Sequence, residues 1–295
     1  MNQSHPSHQG ARVCLCADDF GLNEGINDAV LRLISLGRVH ATSALVGAPA
    51  WTSGAQRLRS LGAAGVDAGL HLDFTECSLT MAPRGLSQLI LQSCMHRQDR
   101  RAIRQEIRAQ LNAFEQAVGA APSFVDGHQH VHQFSVIREE LLEELDERYS
   151  GRSPWVRNTH WRAIPGASTG LLGWLKAVTI SALGGADMTD AARHHGYLQN
   201  TALLGIYDFR ASEARYLQLL QAWLASAQDG DLLMCHPGQE PASHAGMAQA
   251  RKTEYQVLVG QRFGQLIQEL GLNLGPMSGI LANIAAAPRA AVGAP

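Results

Sequence analysis

Val13-Cys14-Leu15-Cys16-Ala17-Asp18-Asp19 is an unbroken apolar run that stops on two adjacent carboxylates. An apolar run without alternation predicts a strand covered on both faces, as in a parallel sheet flanked by helices. Downstream, residues 24–36 put Ile26, Val30, Leu33 and Ile34 on one helical stripe, with Asn23 as the N-cap. The alternation repeats along the chain. Residues 41–46, 66–72, 123–127, 155–158, 231–235 and 272–274 read as strands. Helices are expected over 100–118, with Gly119 as the stop, and around 137–145, 216–224 and 250–270. Strand–helix alternation implies a mostly parallel α/β sheet with helical crossovers. At this length a barrel is favoured over a doubly wound sheet.

Composition narrows the class. The 295 residues include 45% hydrophobic ones, enough for one sizeable core spanning residues 11–284. Residues 1–10 and 285–295 read as flexible tails, and residues 150–210 as a long excursion from the scaffold. The balance of 24 basic and 26 acidic residues excludes a nucleic-acid partner held by bulk charge. Five scattered cysteines form no framework or CxxC pair. The N-terminus lacks the apolar core of a signal peptide, and no segment suits a transmembrane span. A cytoplasmic protein is expected. The apolar stretch 171–183 is a core helix or the contact of a homodimer.

The chemistry sits at the strand ends. Asp18 and Asp19 end one strand; His71 ends another, with Asp73 and Glu76 close behind. A third ends in Asp126-Gly127-His128-Gln129-His130-Val131-His132, and a fourth in Cys235-His236-Pro237-Gly238. Alone, the paired aspartates could cap a helix, His71 could be a core histidine and His-Pro-Gly a turn. Parallel α/β folds, however, gather the carboxyl ends of their strands at one ligand-binding face. In a strand, Asp126, His128, His130 and His132 would share a face; in a helix, His128 and His132 would. One carboxylate and two imidazoles with open positions suit a catalytic divalent metal: zinc, manganese, cobalt or nickel. A second carboxylate as base and a histidine as acid complete the equipment for hydrolysing an amide or ester.

Four stretches resemble the YdjC-like carbohydrate deacetylases, a family with chitooligosaccharide and hopanoid-biosynthesis branches. They are Ala17-Asp18-Asp19-Phe20-Gly21-Leu22-Asn23, Gly69-Leu70-His71-Leu72, the Asp126–His132 motif and Met234-Cys235-His236-Pro237-Gly238. The resemblance implies a distorted (β/α) barrel that removes acetyl groups from N-acetylated sugars or glycolipid head groups. It also implies one divalent metal, Mg2+ in the family, with Zn2+ or another transition metal as the alternative. By position, Asp19, His71 and His128 correspond to the metal ligands, Asp18 to the base and His236 to the acid. The roles of Asp18 and Asp19 are interchangeable at this level, and His132 competes with His128 as ligand in the wider deacetylase pattern. Asp126, His130 and His132 are expected to orient the ligands or meet substrate. Tyr207, in Gly205-Ile206-Tyr207-Asp208-Phe209, is a candidate sugar-stacking ring. Two other readings are a two-metal phosphoesterase and a non-catalytic sugar-binding protein on the same fold.

Overall fold

Eight parallel strands build the protein around the run that opens β1 (Arg12–Phe20). The others are β2 (Ala41–Ala44), β3 (Asp67–Leu72), β4 (Phe124–Gly127), β5 (Trp155–Val156), β6 (Leu203–Leu204), β7 (Asp231–Cys235) and β8 (Asn273–Leu274). The structure is a computed structural model and describes residues 10–60, 65–95, 97–149, 154–167, 178, 181–239 and 245–287. The strand order is β5-β4-β3-β2-β1-β7-β6, with β8 beside the start of β1. The two ends of this path are stitched together. Val156 N donates to Leu198 O (2.9 Å) and Leu203 N to His160 O (2.7 Å). Asn158 N donates to Asn200 Oδ1 at 2.7 Å, and Asn200 Nδ2 returns a bond to Asn158 O at 3.0 Å. The result is a distorted (β/α) barrel, as expected.

β1 is buried on both faces because the two sides of the strand serve two different cores. Val13, Leu15 and Ala17 pack into the large core with Ile26, Val30 and Leu33 of α1 (Glu24–Ser35). Cys14 and Cys16 join Phe124, Trp155, Leu203 and Met234 in a smaller cluster on the other face. The period-two alternation of a strand assigns each residue to its side. Asn23 caps α1 as predicted, accepting from Ile26 N at 2.9 Å.

Further helices surround the sheet: α2 (Trp51–Ser60), α3 (Leu86–Cys94), α4 (Arg100–Val118) and α5 (Ser135–Arg148), then Ala186–His194, Glu213–Ala225, Ala245–Val259, Gln261–Glu269 and Met277–Ala286. Gly119 ends α4 at φ 82°, the predicted stop. Three expectations change. The helix expected over 250–270 is two, broken at Gly260, which adopts φ −66°, ψ 151°. Residues 150–210 are not wholly an excursion, since they contribute β5, β6 and a helix. The last helix runs through Ala285 and Ala286, where a tail was expected, and its Met277, Ile280 and Leu281 cover one end of the smaller core. The expected tail 1–10, except Gly10, and most of the stretch 171–183 lie outside the described residues. No helix among the described residues is long and apolar enough to cross a membrane.

Candidate active site

Asp18 and Asp19 are chemically identical neighbours, and the backbone separates them. The β1–β2 register shifts between Ala17 and Phe20. Asp18 follows Cys14 and Cys16 in strand phase and meets Arg157: Nη1 donates to Oδ2 at 2.6 Å and Nη2 to Oδ1 at 2.7 Å. Asp19 takes φ 66°, a left-handed conformation that aspartate tolerates better than most residues. Its carboxylate therefore reaches different partners. Oδ1 lies 3.3 Å from His71 Nε2 and 3.0 Å from His128 Nδ1, and Oδ2 accepts from Arg251 Nη2.

His71 is aimed from behind. It pairs across the sheet with Asp126 of β4, and its Nδ1 sits 2.7 Å from Asp126 Oδ1. The Ser43 hydroxyl donates to the same carboxylate oxygen. Asp126 also lies 2.6 Å from Arg157 Nη2, as an ion pair without hydrogen-bond alignment. With Nδ1–H held by Asp126, the His71 Nε2 lone pair is left for the Asp19 side, the arrangement that metal-binding imidazoles use.

The histidine motif is neither strand nor α-helix. β4 stops at Gly127, and His128–Gln133 form a tight 3-10 turn in which Gln129 (φ 51°) and His130 (φ 60°) are left-handed. Gly127 is needed there, because a Cβ would lie 2.7 Å from His132 N. This turn splits the three imidazoles. His128 faces Asp19, while His130 is buried at the cleft wall. His132 points back into the protein, its Nε2 3.1 Å from Arg157 O. Burial lowers the His132 imidazole to about 4, so it is neutral and its Nε2–H donates to that carbonyl. His132 thus supports the site from behind and is not among the grouped ligand atoms.

Asp19, His71 and His128 each offer one ligand atom, all within 4.8 Å of one another. The donor set fits one divalent cation with open positions. Electrostatics agree. Burial alone would lower both imidazoles, yet Asp126 and Asp19 raise His71 to about 9, and Asp19 and Glu76 push His128 well up. Burial also works against the Asp19 carboxylate, but Arg251 and His128 outweigh it and hold it well below the usual range. The pocket is therefore built to hold positive charge at the point where the three ligands meet. Asp18, Asp126 and His71 form a second group within the same distance. Arg157 already lies against both its carboxylates, which disfavours a cation there.

Asp18, Asp19, His71 and His128 line a cleft of about 470 Å³. His236 stands in its wall with its ring edge-on to Phe209, centroids 5.2 Å apart. The rest of the wall is largely aliphatic: Leu22, Leu86, Ile90, Leu183 and Met247. Glu76 lines it near His128, 3.4 Å from Nε2. Asp73, close to His71 in sequence, has a structural task, accepting from Thr75 N (2.7 Å) and Glu76 N (3.0 Å) to fix the turn that carries Glu76.

The YdjC-like protein family model matches residues 12–269. The chain belongs to this family. Among its relatives is the chitooligosaccharide deacetylase of Proteus mirabilis, 27% identical over 88% of this chain and 94% of that protein. The carbohydrate deacetylase of Mus musculus is 27% identical over 80% of each chain. A crystal structure of an Enterococcus faecalis protein, described as a cellobiose-phosphate cleavage protein, shares the fold with a TM-score of 0.66 and 20% identity. It covers 92% of this chain and 99% of its own.

Within this YdjC-like chain, three site residues escape the motifs. Arg157 follows the two-residue strand β5 and is fully buried. Arg251 and Glu254 come from one helix, Ala245–Val259. Arg251 holds Asp19, whereas Glu254 accepts from His236 N at 2.6 Å and from the Tyr207 hydroxyl at 2.8 Å. Burial raises the Glu254 carboxyl to about 7. The one available signal was polar: Arg251, Thr253 and Glu254 sit near one another in a segment that also has to pack. Tyr207 corrects an expectation. Its ring is only 2% exposed, packed on Phe209 and Tyr216, and is not part of the cleft wall. Phe209, two residues on, takes that place.

Proposed function

We propose that this chain removes the acetyl group from an N-acetylated sugar and releases acetate, using one divalent cation bound by Asp19, His71 and His128. The convergence of those three ligands on the floor of the cleft, with Asp18 and His236 in its lining, carries the reading. The deacetylase names of the family relatives support it. When bound, the cation polarises the acetyl carbonyl and lowers the pKa of a water. Asp18 is the proposed base. Arg157 fixes it through both oxygens, and Oδ2, which accepts from Arg157 Nη1, retains a lone pair for a proton. His236 is the proposed acid for the departing nitrogen, its loop held through the backbone by Glu254. Asp126 keeps the His71 ring in one orientation.

The aliphatic wall favours a sugar joined to an apolar group, such as a glycolipid head group, over a free polar oligosaccharide. Free thiols at Cys14, Cys16, Cys77, Cys94 and Cys235 suit a reducing compartment, and we place the enzyme in the cytoplasm. Family resemblance points to Mg2+, whereas the two imidazoles also suit Zn2+. The test is acetate release from N-acetylated sugars and sugar lipids after chelation and after restoring each ion. Activity should vanish on chelation, return with one ion per chain, and fall on the order of 100-fold or more in His128→Ala. Full turnover by the chelated protein or by that variant would sink the reading. Two ions per chain with phosphate-ester cleavage would instead favour the phosphoesterase.

A further inference from the structure

Arg251 carries more donors than its surroundings use. The side chain is almost fully buried and lines the cleft with Asp19, Phe209 and His236. Nη2 donates to Asp19, but Nε and Nη1 have no acceptor among the described residues. Arg157 is different, since both of its terminal nitrogens lie against Asp18 and Asp126. A guanidinium cannot shed its proton to escape such a shortfall. Its donors therefore favour any oxyanion that enters the cleft.

Covalent geometry says where that anion sits. Nη1 and Nη2 share the end of the fork, so an acceptor on Nη1 lies next to Asp19 and thus next to the proposed cation. The helix also holds Arg251 against a tight turn. Gly238 N donates to Arg251 O at 3.1 Å, and a Cβ at Gly238 would lie 3.3 Å from the Arg251 Cβ. The guanidinium is thereby a fixed part of the wall.

We propose that Arg251 is the carboxylate donor of this cleft, taking an oxygen of the acetate that the reaction releases. The proposal rests on the deacetylase reading above. In that hydrolysis the water oxygen bonds to the acetyl carbon and the carbon–nitrogen bond breaks. The nitrogen leaves protonated as the amine, and acetate carries the negative charge. The acetyl group of the substrate offers Arg251 a neutral carbonyl, whereas acetate offers an anion, so the contact strengthens only after cleavage. Arg251 then delays acetate departure and makes the enzyme sensitive to its small product.

Acetate titrated into the intact metal-loaded protein tests this, with the Arg251 side-chain N–H signals followed by NMR and assigned by their loss in Arg251→Lys. Those signals should shift with acetate, and acetate should bind about tenfold more weakly to Arg251→Lys. The lysine keeps a cation for Asp19 and removes the fork, and elemental analysis checks that the ion is retained. Unmoved Arg251 signals overturn the proposal even if the variant proves unstable. Tighter binding of inorganic phosphate than of acetate overturns it as well, reassigning the donor to a phosphate. If acetate binds through Arg251 but no sugar amide is cleaved, the deacetylase reading fails and the carboxylate site stands. If amides are cleaved and acetate ignores Arg251, the reverse holds.

Discussion

Two of the arginine–carboxylate networks among the described residues differ in surroundings more than in chemistry. One is the cluster at the carboxyl ends of the strands, where Arg157 and Arg251 meet Asp18, Asp126 and Asp19, all 2% exposed or less. The other runs between α4 and α5, where Arg100, Arg104 and Arg108 face Glu139, Glu140, Glu143, Glu144 and Glu147. Arg100 and Arg108 there are half exposed. Glu140 and Glu144 of this ladder are buried, but at its exposed members water competes for the charge and a lost partner is replaced by solvent. In the cluster nothing replaces it, and the remaining charge stays buried and uncompensated. The surface network can be altered piecemeal, whereas the buried cluster must remain whole.

The largest effect should therefore follow Arg157→Ala, which strips both Asp18 and Asp126. A loss of about 3–5 kcal/mol is expected in urea unfolding, with acetate release abolished; a loss below about 1 kcal/mol would erase the distinction between the regions. Next comes pH. His132 titrates at about 4 in the fold against 6.5 as its ordinary value, because burial excludes its charge. The unfolded chain binds a proton that the folded chain refuses, so this stability is present above pH 6.5 and is lost as pH falls toward 4, by about 3 kcal/mol in total. His132→Gln should flatten that part of the acid limb, and an unchanged slope in the variant would remove His132 as its source. Smaller again is Ser43→Ala, which deletes one donor to Asp126. It should cost about 1–2 kcal/mol and lower activity through a less constrained His71. The smallest effect belongs to the surface: Arg100→Ala should cost under about 1 kcal/mol and still less in roughly 1 M salt. A salt-independent loss would show that the ladder is shielded after all.

The same contrast explains what could be read from the sequence. The strand ends were legible because apolar runs stop abruptly on Asp18–Asp19, His71, Asp126–His128 and His236, and a parallel fold brings such ends together. Asp19, His71 and His128 do converge. Arg157 was not legible as a site residue: it falls in the strand expected over 155–158, where a lone arginine gives no sign of its buried carboxylate partners, and β5 itself stops at Val156. Arg251 and Glu254 were hidden for the opposite reason. They lie in a helix, but a charged residue in a helix ordinarily marks the solvent side, and here both are buried against the site. Tyr207 was misplaced because an aromatic in a loop has the same appearance whether it faces a ligand or anchors the loop; the Glu254 carboxylate makes it an anchor. The left-handed turn at Gln129 and His130 had no local signal either, as neither residue is a glycine.

The helix Ala245–Val259 holds two parts of the cleft, gripping Asp19 through Arg251 and the His236 backbone through Glu254. Mechanically it is a single brace on two jaws. If that helix is displaced, the cation-binding side and the proton-donating side loosen in the same movement. A half-assembled site, able to hold the ion but not to finish the reaction, is then a rare state of this molecule.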